Sequence, residues 1–419
     1  MKTVLNNYKE TSWDYRTANT KTHTHCFHSY PAMMIPQVAG RLIETYGENT
    51  KLLFDPYCGT GTSLVEANLR GIEAVGTDLN PLARLIAKTK TTPIKKQTLD
   101  LLLKDFNDEI FHFRFGLNKF DSIVLPTFKN IDYWFTKNVQ EKLALLKEYI
   151  RNIEDFSVRQ FFKVAFSETI RDSSLTKNSE FKLFRMSPKQ RENFHPDVFS
   201  IMESKLSRNR NGLYSLMSTS EFIADSKVYS FNTVDGIPET ILEEETVDIV
   251  VTSPPYGDSR TTVAYGQYSR LANQWMGYEE ASKLDNELMG GKKINPNNQF
   301  QSKTLNEKID IIGSRDSKRV KDVVSFYVDY QKSIKNISKV VKKGGFASFI
   351  VGNRRVKDET LPTDYITREF FENNGFKHVE TIIRNIPHKR MPARNSPTNV
   401  VGKLSTTMNH EYIVVMQKC

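Results

Sequence analysis

The run Lys51-Leu52-Leu53-Phe54-Asp55-Pro56-Tyr57-Cys58-Gly59-Thr60-Gly61-Thr62 passes from an apolar tract into a glycine-bearing turn. Leu52 to Asp55 has the length and hydrophobicity of a short buried strand. Ser63 to Arg70 then follows a helical period, with Leu64, Ala67 and Leu69 to pack and Gly71 to stop it. Ala74 to Thr77 is a second strand, ending at Asp78. Asn80-Pro81 opens another helix, since proline suits a first helical turn, and this one carries Leu82, Leu85, Ile86 and Ala87. Two strands, each followed by a helix, predict a right-handed, parallel, doubly wound sheet.

In such a sheet the turn between a strand and its helix is where nucleotides bind. Glycines at 59 and 61 allow a ligand to approach the backbone closely. Asp78 stands at the tip of the second strand, where dinucleotide folds place a ribose-binding carboxylate. The full G-x-G-x-x-G pattern is absent, because Leu64 occupies the place of its third glycine. An adenosine ligand without a pyrophosphate fits that departure better than a dinucleotide. The plainer reading of the segment is a tight turn beside a solvated aspartate.

Downstream, residues 95–220 lose the alternation of strand and helix. They carry helix-like stretches rich in aromatics and charges, such as Asn138 to Ile153 and Phe161 to Thr169, and are expected to form an inserted helical lobe. Its polar, basic end, Ser187 to Ser220, reads as loop. The α/β pattern returns with Glu221 to Asp225 and Val247 to Thr252. A long Gly- and Asn-bearing segment, 257–322, precedes an amphipathic helix from Ser325 to Lys342, with Phe326, Tyr330, Ile334, Ile337 and Val341 spaced three and four apart. Phe346 to Val351 is a strand and Tyr365 to Asn374 a helix. His378 to Ile383 and Glu411 to Met416 are strands with no helix between them, which implies a closing antiparallel hairpin.

The chain has 419 residues, 38% of them hydrophobic and 26% charged, enough for a large core and typical of a soluble protein. No apolar run is long enough to span a bilayer, and Met1 to Asn7 lacks the apolar region of a secretory signal, so a cytoplasmic location and no membrane partner are expected. Cys26, Cys58 and Cys419 are scattered, which argues against a disulfide framework. His23, His25 and His28 lie near Cys26, but no carboxylate or second cysteine joins them locally, and no metal is expected. The formal charge of +10 is consistent with a polyanionic partner. Lys182, Arg185, Lys189, Arg191, Lys205, Arg208 and Arg210 crowd one stretch; Arg384, Lys389, Arg390, Arg394 and Lys403 crowd another. Both sets are solvated loops in the plain reading and phosphate contacts if a nucleic acid binds.

The strand Val247 to Thr252 runs into Ser253-Pro254-Pro255-Tyr256. Two prolines supply carbonyl acceptors and no N–H donors, and in the plain reading simply end a strand. With a hydroxyl before them and an aromatic ring after, they also suit a planar amino group that must be hydrogen-bonded at its edge and stacked on its face. Asp55-Pro56-Tyr57-Cys58-Gly59-Thr60-Gly61 resembles the S-adenosylmethionine-binding motif of the DNA amino-methyltransferases, and Ser253-Pro254-Pro255-Tyr256 resembles their catalytic motif. Phe27-His28-Ser29-Tyr30-Pro31-Ala32-Met33, just before a helix from Pro36 to Tyr46, is similar to the motif that closes over the methionine end of the donor. Asp225 is similar to the residue that contacts the adenine.

The resemblance covers about residues 22–94 and 221–419. It implies an α/β fold: a Rossmann-like, doubly wound, mostly parallel sheet with a C-terminal antiparallel hairpin and an inserted helical lobe. Residues 1–94 and 221–419 would form the catalytic domain. Target recognition would fall in 95–220, with 257–322 as rival. The implied donor site is Tyr30, Pro31, Asp55, Pro56, Gly59, Gly61, Asp78 and Asp225; the implied catalytic residues are Ser253, Pro254, Pro255 and Tyr256. Serine at the first catalytic position implies cytosine N4 in double-stranded DNA as the methyl acceptor. Adenine N6 is the alternative, and RNA or a protein glutamine, usually served by asparagine there, a more distant one. A restriction endonuclease acting on the same site is the implied partner.

Overall fold

The computed structural model describes residues 13–115, 117, 123–177, 181–219, 224–258, 262–278, 283–295, 299–386, 394–395, 405–406 and 410–419. Seven strands make the central sheet: β1 (Leu52–Asp55), β2 (Glu73–Thr77), β3 (Ser226–Tyr229), β4 (Val247–Thr252), β5 (Val341–Val351), β6 (Phe376–Asn385) and β7 (His410–Lys418). Their order is β3-β2-β1-β4-β5-β7-β6. The first five run parallel, and β7 is antiparallel to both β5 and β6. The expected doubly wound sheet and closing hairpin are both present.

Alternation along the strands explains why both faces are covered. Leu53, Ile249, Val251, Ile413 and Val415 point to one side, against α1 (Pro36–Tyr46) and α2 (Thr62–Asn68). Phe54, Val250, Phe349, Val414 and Met416 point to the other, against α10 (Ser317–Val340) and α11 (Thr363–Glu372). Helix α3 (Pro81–Thr91) begins at Asn80, whose side chain accepts the Leu82 N–H at 3.1 Å. Helix α10 starts eight residues before the expected helix, because Asp316 caps it by accepting the N–H groups of Lys318 and Arg319.

Between α3 and β3 lie α4 (Lys96–Arg114), α5 (Lys137–Asn152), α6 (Phe156–Ser173) and α7 (Val198–Thr219). Their buried residues share one core with Leu82, Leu85 and Ile86 of α3, and with Tyr268, Leu271 and Trp275 of α8 (Tyr265–Trp275). The insert is thus welded to the sheet domain through an apolar interior.

Three sequence expectations change. Most of Ser187 to Ser220, read as loop, belongs to the 22-residue helix α7, whose Val198, Met202, Leu206 and Leu213 are buried despite the charges between them. The segment 257–322 contains α8, a one-turn helix at Leu284–Glu287, α9 (Lys303–Arg315) and the start of α10. Asp225 does not end a strand: β3 begins after it, and the Asp225 carbonyl accepts the Ala74 N–H at 3.0 Å near the start of β2. Residues 221–223 lie outside the described part.

Candidate active site

The strand order reverses between β1 and β4, and a parallel sheet opens a crevice beyond the carboxyl ends of its strands at such a point. Pairing of Leu53 with Ile249 and Phe54 with Val250 brings Asp55 and Ser253 to the same edge. The Thr252 hydroxyl donates to Asp55 Oδ1 at 2.5 Å, a tie across 197 residues of sequence. A cleft of about 1070 Å³, open mouth included, lies over this edge, on the scale of a small-molecule site.

Asp55, Pro56, Gly59, Asp78, Tyr30 and Pro31 line the cleft together with Ser253 and Pro255. Asp55 is buried and also accepts from the Ser63 hydroxyl and from the Tyr57 N–H at 3.1 Å. Burial raises its pKa to about 6 against those hydrogen bonds, so it acts chiefly as the bolt between β1, α2 and β4. Asp78 is pushed up by burial, opposed by the Asn80 and Gly59 N–H groups it accepts at 2.7 and 3.1 Å. It holds the glycine turn in place.

Gly59 has φ +48°, and a Cβ there would meet nothing within 4 Å, so the turn leaves room for a ligand. Gly61 (φ +76°) differs. A Cβ would come within 2.9 Å of Ala87 Cβ, so this glycine serves the packing of α2 on α3 and is absent from the cleft wall. Asp225 is absent too, as the direction of β3 requires: the residues past its carboxyl end, Phe231, Asn232 and Thr233, line the cleft in its place. The fully buried Lys90 sits beneath the turn, 3.4 Å from the Thr60 hydroxyl, with burial lowering its pKa to about 7.

Tyr30 stacks on Tyr265 at 6.1 Å between ring centroids and accepts a hydrogen bond from Asn80 Nδ2 at 2.7 Å. Its loop is held from the insert. Glu168 of α6 accepts the Ser29 N–H at 3.0 Å, and Arg208 of α7 donates to the Phe27 carbonyl and to Glu168, both at 2.7 Å. Burial would raise the Glu168 pKa, but His28, Arg208 and Lys205 outweigh it and hold the carboxyl down to about 2. His28 is itself lowered to about 4, by burial, against the pull of Glu168.

At the Ser253–Tyr256 turn, Ser253 Oγ lies 3.2 Å from the Ile350 carbonyl, which takes its proton, and 3.5 Å from the Tyr256 hydroxyl. The Tyr256 hydroxyl donates to Glu411 Oε1 of β7 at 2.9 Å, and Glu411 is paired with the buried Arg384 of β6. Pro254 is buried, and neither it nor Tyr256 is among the residues lining the cleft. Arg384, a candidate phosphate contact in the sequence, is internal, buried in its ion pair with Glu411. Lys389, Arg390 and Lys403 lie outside the described residues. Among the described residues no three His, Cys, Asp or Glu side chains come together as a metal site, and no helix is long and apolar enough to cross a membrane.

Sequence reasoning missed Glu168, Asn232, Tyr265, Arg384 and Glu411 as contributors. Each reaches the site from a distant element, and only the position of Asn232 just past a strand end carried a local signal.

No family model matches the chain. It is 40% identical to the type II methyltransferase M.MvaI of Kocuria varians over 427 aligned residues, 96% of this chain and 93% of that one. A stretch covering 29% of the chain is 29% identical to the type II methyltransferase M.MjaII of Methanocaldococcus jannaschii, covering 24% of it. Among solved structures, the rRNA methyltransferase aviRa from Streptomyces viridochromogenes aligns over 93% of this chain and 88% of its own, with TM-score 0.33 and 11% identity. On the strength of its near full-length similarity to the Kocuria enzyme, the chain belongs to the type II methyltransferases, the site-specific DNA methylases of restriction–modification systems.

Proposed function

We propose that this methyltransferase transfers the methyl group of S-adenosylmethionine to the exocyclic N4 of cytosine within a short duplex sequence, protecting that sequence from a cognate endonuclease. The observation that carries the proposal is that Ser253 and the Asp55–Gly59 turn line one cleft. The donor brings an activated methyl on a sulfonium, so the protein's task is to position the acceptor amine. The space above Gly59 and the cleft lined by Tyr30, Asp78 and Asn232 suit an adenosine with a short polar chain.

Because the Ile350 carbonyl takes the Ser253 proton, the serine oxygen keeps lone pairs for an N–H of the amine. The Pro254 carbonyl accepts the other N–H. Together they draw the nitrogen towards tetrahedral geometry and aim its lone pair across the cleft. Tyr256, tethered through its hydroxyl, stacks on the base. Orientation of this kind contributes on the order of 7–11 kcal/mol. The base must first leave the duplex, at a cost of a few kcal/mol offset by stacking and edge contacts. Residues 1–94 and 221–419 carry the chemistry, and the insert 95–220 serves target binding.

The test incubates the protein with methyl-labelled donor and unmethylated DNA, followed by digestion to nucleosides. N4-methylcytosine is expected. N6-methyladenine transfers the proposal to the other base, and label absent from DNA refutes it.

A further inference from the structure

The basic stretch 182–210 divides into two populations. On α7, Lys205 binds Glu168 and Asp172, Arg208 binds Glu168, and Arg210 binds Asp100, so these cations serve the interior of the insert. Lys182, Arg185, Lys189 and Arg191 precede that helix, and none forms an ion pair among the described residues; the same holds for Lys177.

The segments Leu175–Lys177 and Leu183–Met186 pair antiparallel. The Met186 N–H donates to the Leu175 carbonyl at 2.9 Å and the Lys177 N–H to the Phe184 carbonyl at 2.8 Å. This hairpin is fastened next to the cleft: Phe181 packs on Tyr268 (6.3 Å between centroids), and Tyr268 meets Tyr30 of the cleft wall edge-on at 5.4 Å. Apolar rings on and beside it are exposed. Phe184 is 49% exposed and Tyr133 45%, with the Arg185 guanidinium 4.0 Å above the Tyr133 ring.

Unpaired cations interleaved with exposed rings fit a polyanion that also offers flat apolar faces. We propose that this hairpin is the part of the insert that grips duplex DNA beside the target base. Lys177, Lys182 and Lys189 meet phosphates, and Phe184 lies against bases or sugars. The inference rests on the DNA-methyltransferase reading of the cleft and adds the surface by which the substrate is held.

The test compares Lys177→Gln/Lys182→Gln/Lys189→Gln with Lys332→Gln/Lys335→Gln/Lys339→Gln, which removes equal charge from the exposed side of α10. Binding to a fluorescent mixed-sequence duplex is followed across a salt series, and affinity for S-adenosylhomocysteine by calorimetry. The hairpin triple is expected to flatten the slope of log K against log salt by about 2.7, at about 0.9 per lost phosphate contact. The α10 triple should leave the slope near wild type, and donor-site affinity should hold in both. Phe184→Ala should weaken binding about fivefold or more at unchanged slope, because a stacking ring carries no charge. Equal slopes in the two triples overturn the proposal, and continued DNA methylation then leaves the methyltransferase reading standing. A wild-type protein that neither binds duplex nor methylates it refutes both.

Discussion

Replacing Glu168 with glutamine tests the junction between the insert and the cleft. The carboxylate is 3% exposed and receives the Ser29 N–H, Arg208 and Lys205. A pKa lowered from 4.5 to about 2 corresponds to about 3 kcal/mol of preference for the ionised group in the folded state. Part of that comes from His28, which is neutral above about pH 4, so about 2 kcal/mol remains at neutral pH. The group's folded pKa lies below its unfolded one. Its contribution is therefore present above about pH 4.5 and lost as the pH falls towards 2. Denaturant unfolding followed by tryptophan fluorescence, with Trp275 buried in the insert core, should show Glu168→Gln about 2 kcal/mol less stable at pH 7, with the gap closing only as the pH falls to about 2. Donor affinity should fall as the Tyr30 loop loosens. A gap below 0.5 kcal/mol at pH 7, or one unchanged on acidification, refutes this account; that threshold is roughly the scatter of a surface substitution.

Loss of the tether in Glu411→Gln should lower turnover about tenfold with donor affinity intact, since a hydrogen bond to a charged group is worth about 1.5–3 kcal/mol. Tyr256→Ala should lower turnover much further, and parallel losses of turnover and donor affinity would contradict the assigned role. For Asp55 the sign is opposite to that of Glu168: its folded pKa of about 6 lies above the unfolded 3.8, so ionisation destabilises the fold. Wild type should therefore lose about 2 kcal/mol relative to Asp55→Asn as pH rises from 4 to 7, read from unfolding free energies at both values. Gly59→Ala should cost about 1–2 kcal/mol for its left-handed backbone and weaken donor binding by filling the cleft. Gly61→Ala should cost more, through the contact with Ala87, and calorimetry and thermal unfolding distinguish the two.

The parallel half of the sheet was legible because β1, β2 and β4 are buried on both faces and so read as apolar runs between turns. Strand β3 was misplaced because it is an edge strand with no fully buried position, so Ser226 to Tyr229 show no apolar signature, whereas Glu221 to Asp225 imitate one. Helix α7 was hidden for a related reason. Lys205, Arg208 and Arg210 look like solvated charge until Glu168, Asp172 and Asp100 are brought to them from α6 and α4. The cleft was readable where a motif is contiguous, as at 55–59 and 253–255. It was unreadable at Glu411, which meets Tyr256 across 155 residues.

That last contact has a consequence for the protein's birth. A ribosome delivers residues in order, at roughly 5–20 per second. Tyr256 emerges long before Glu411, the group that fixes its hydroxyl, and Asp55 earlier still. On the proposed assignment a nascent chain works below its full rate until Glu411 has joined the sheet, roughly 8–30 s after Tyr256 is made. Unfinished or clipped chains missing this strand cannot methylate at the full rate, so modification is exercised only by molecules whose sheet is complete.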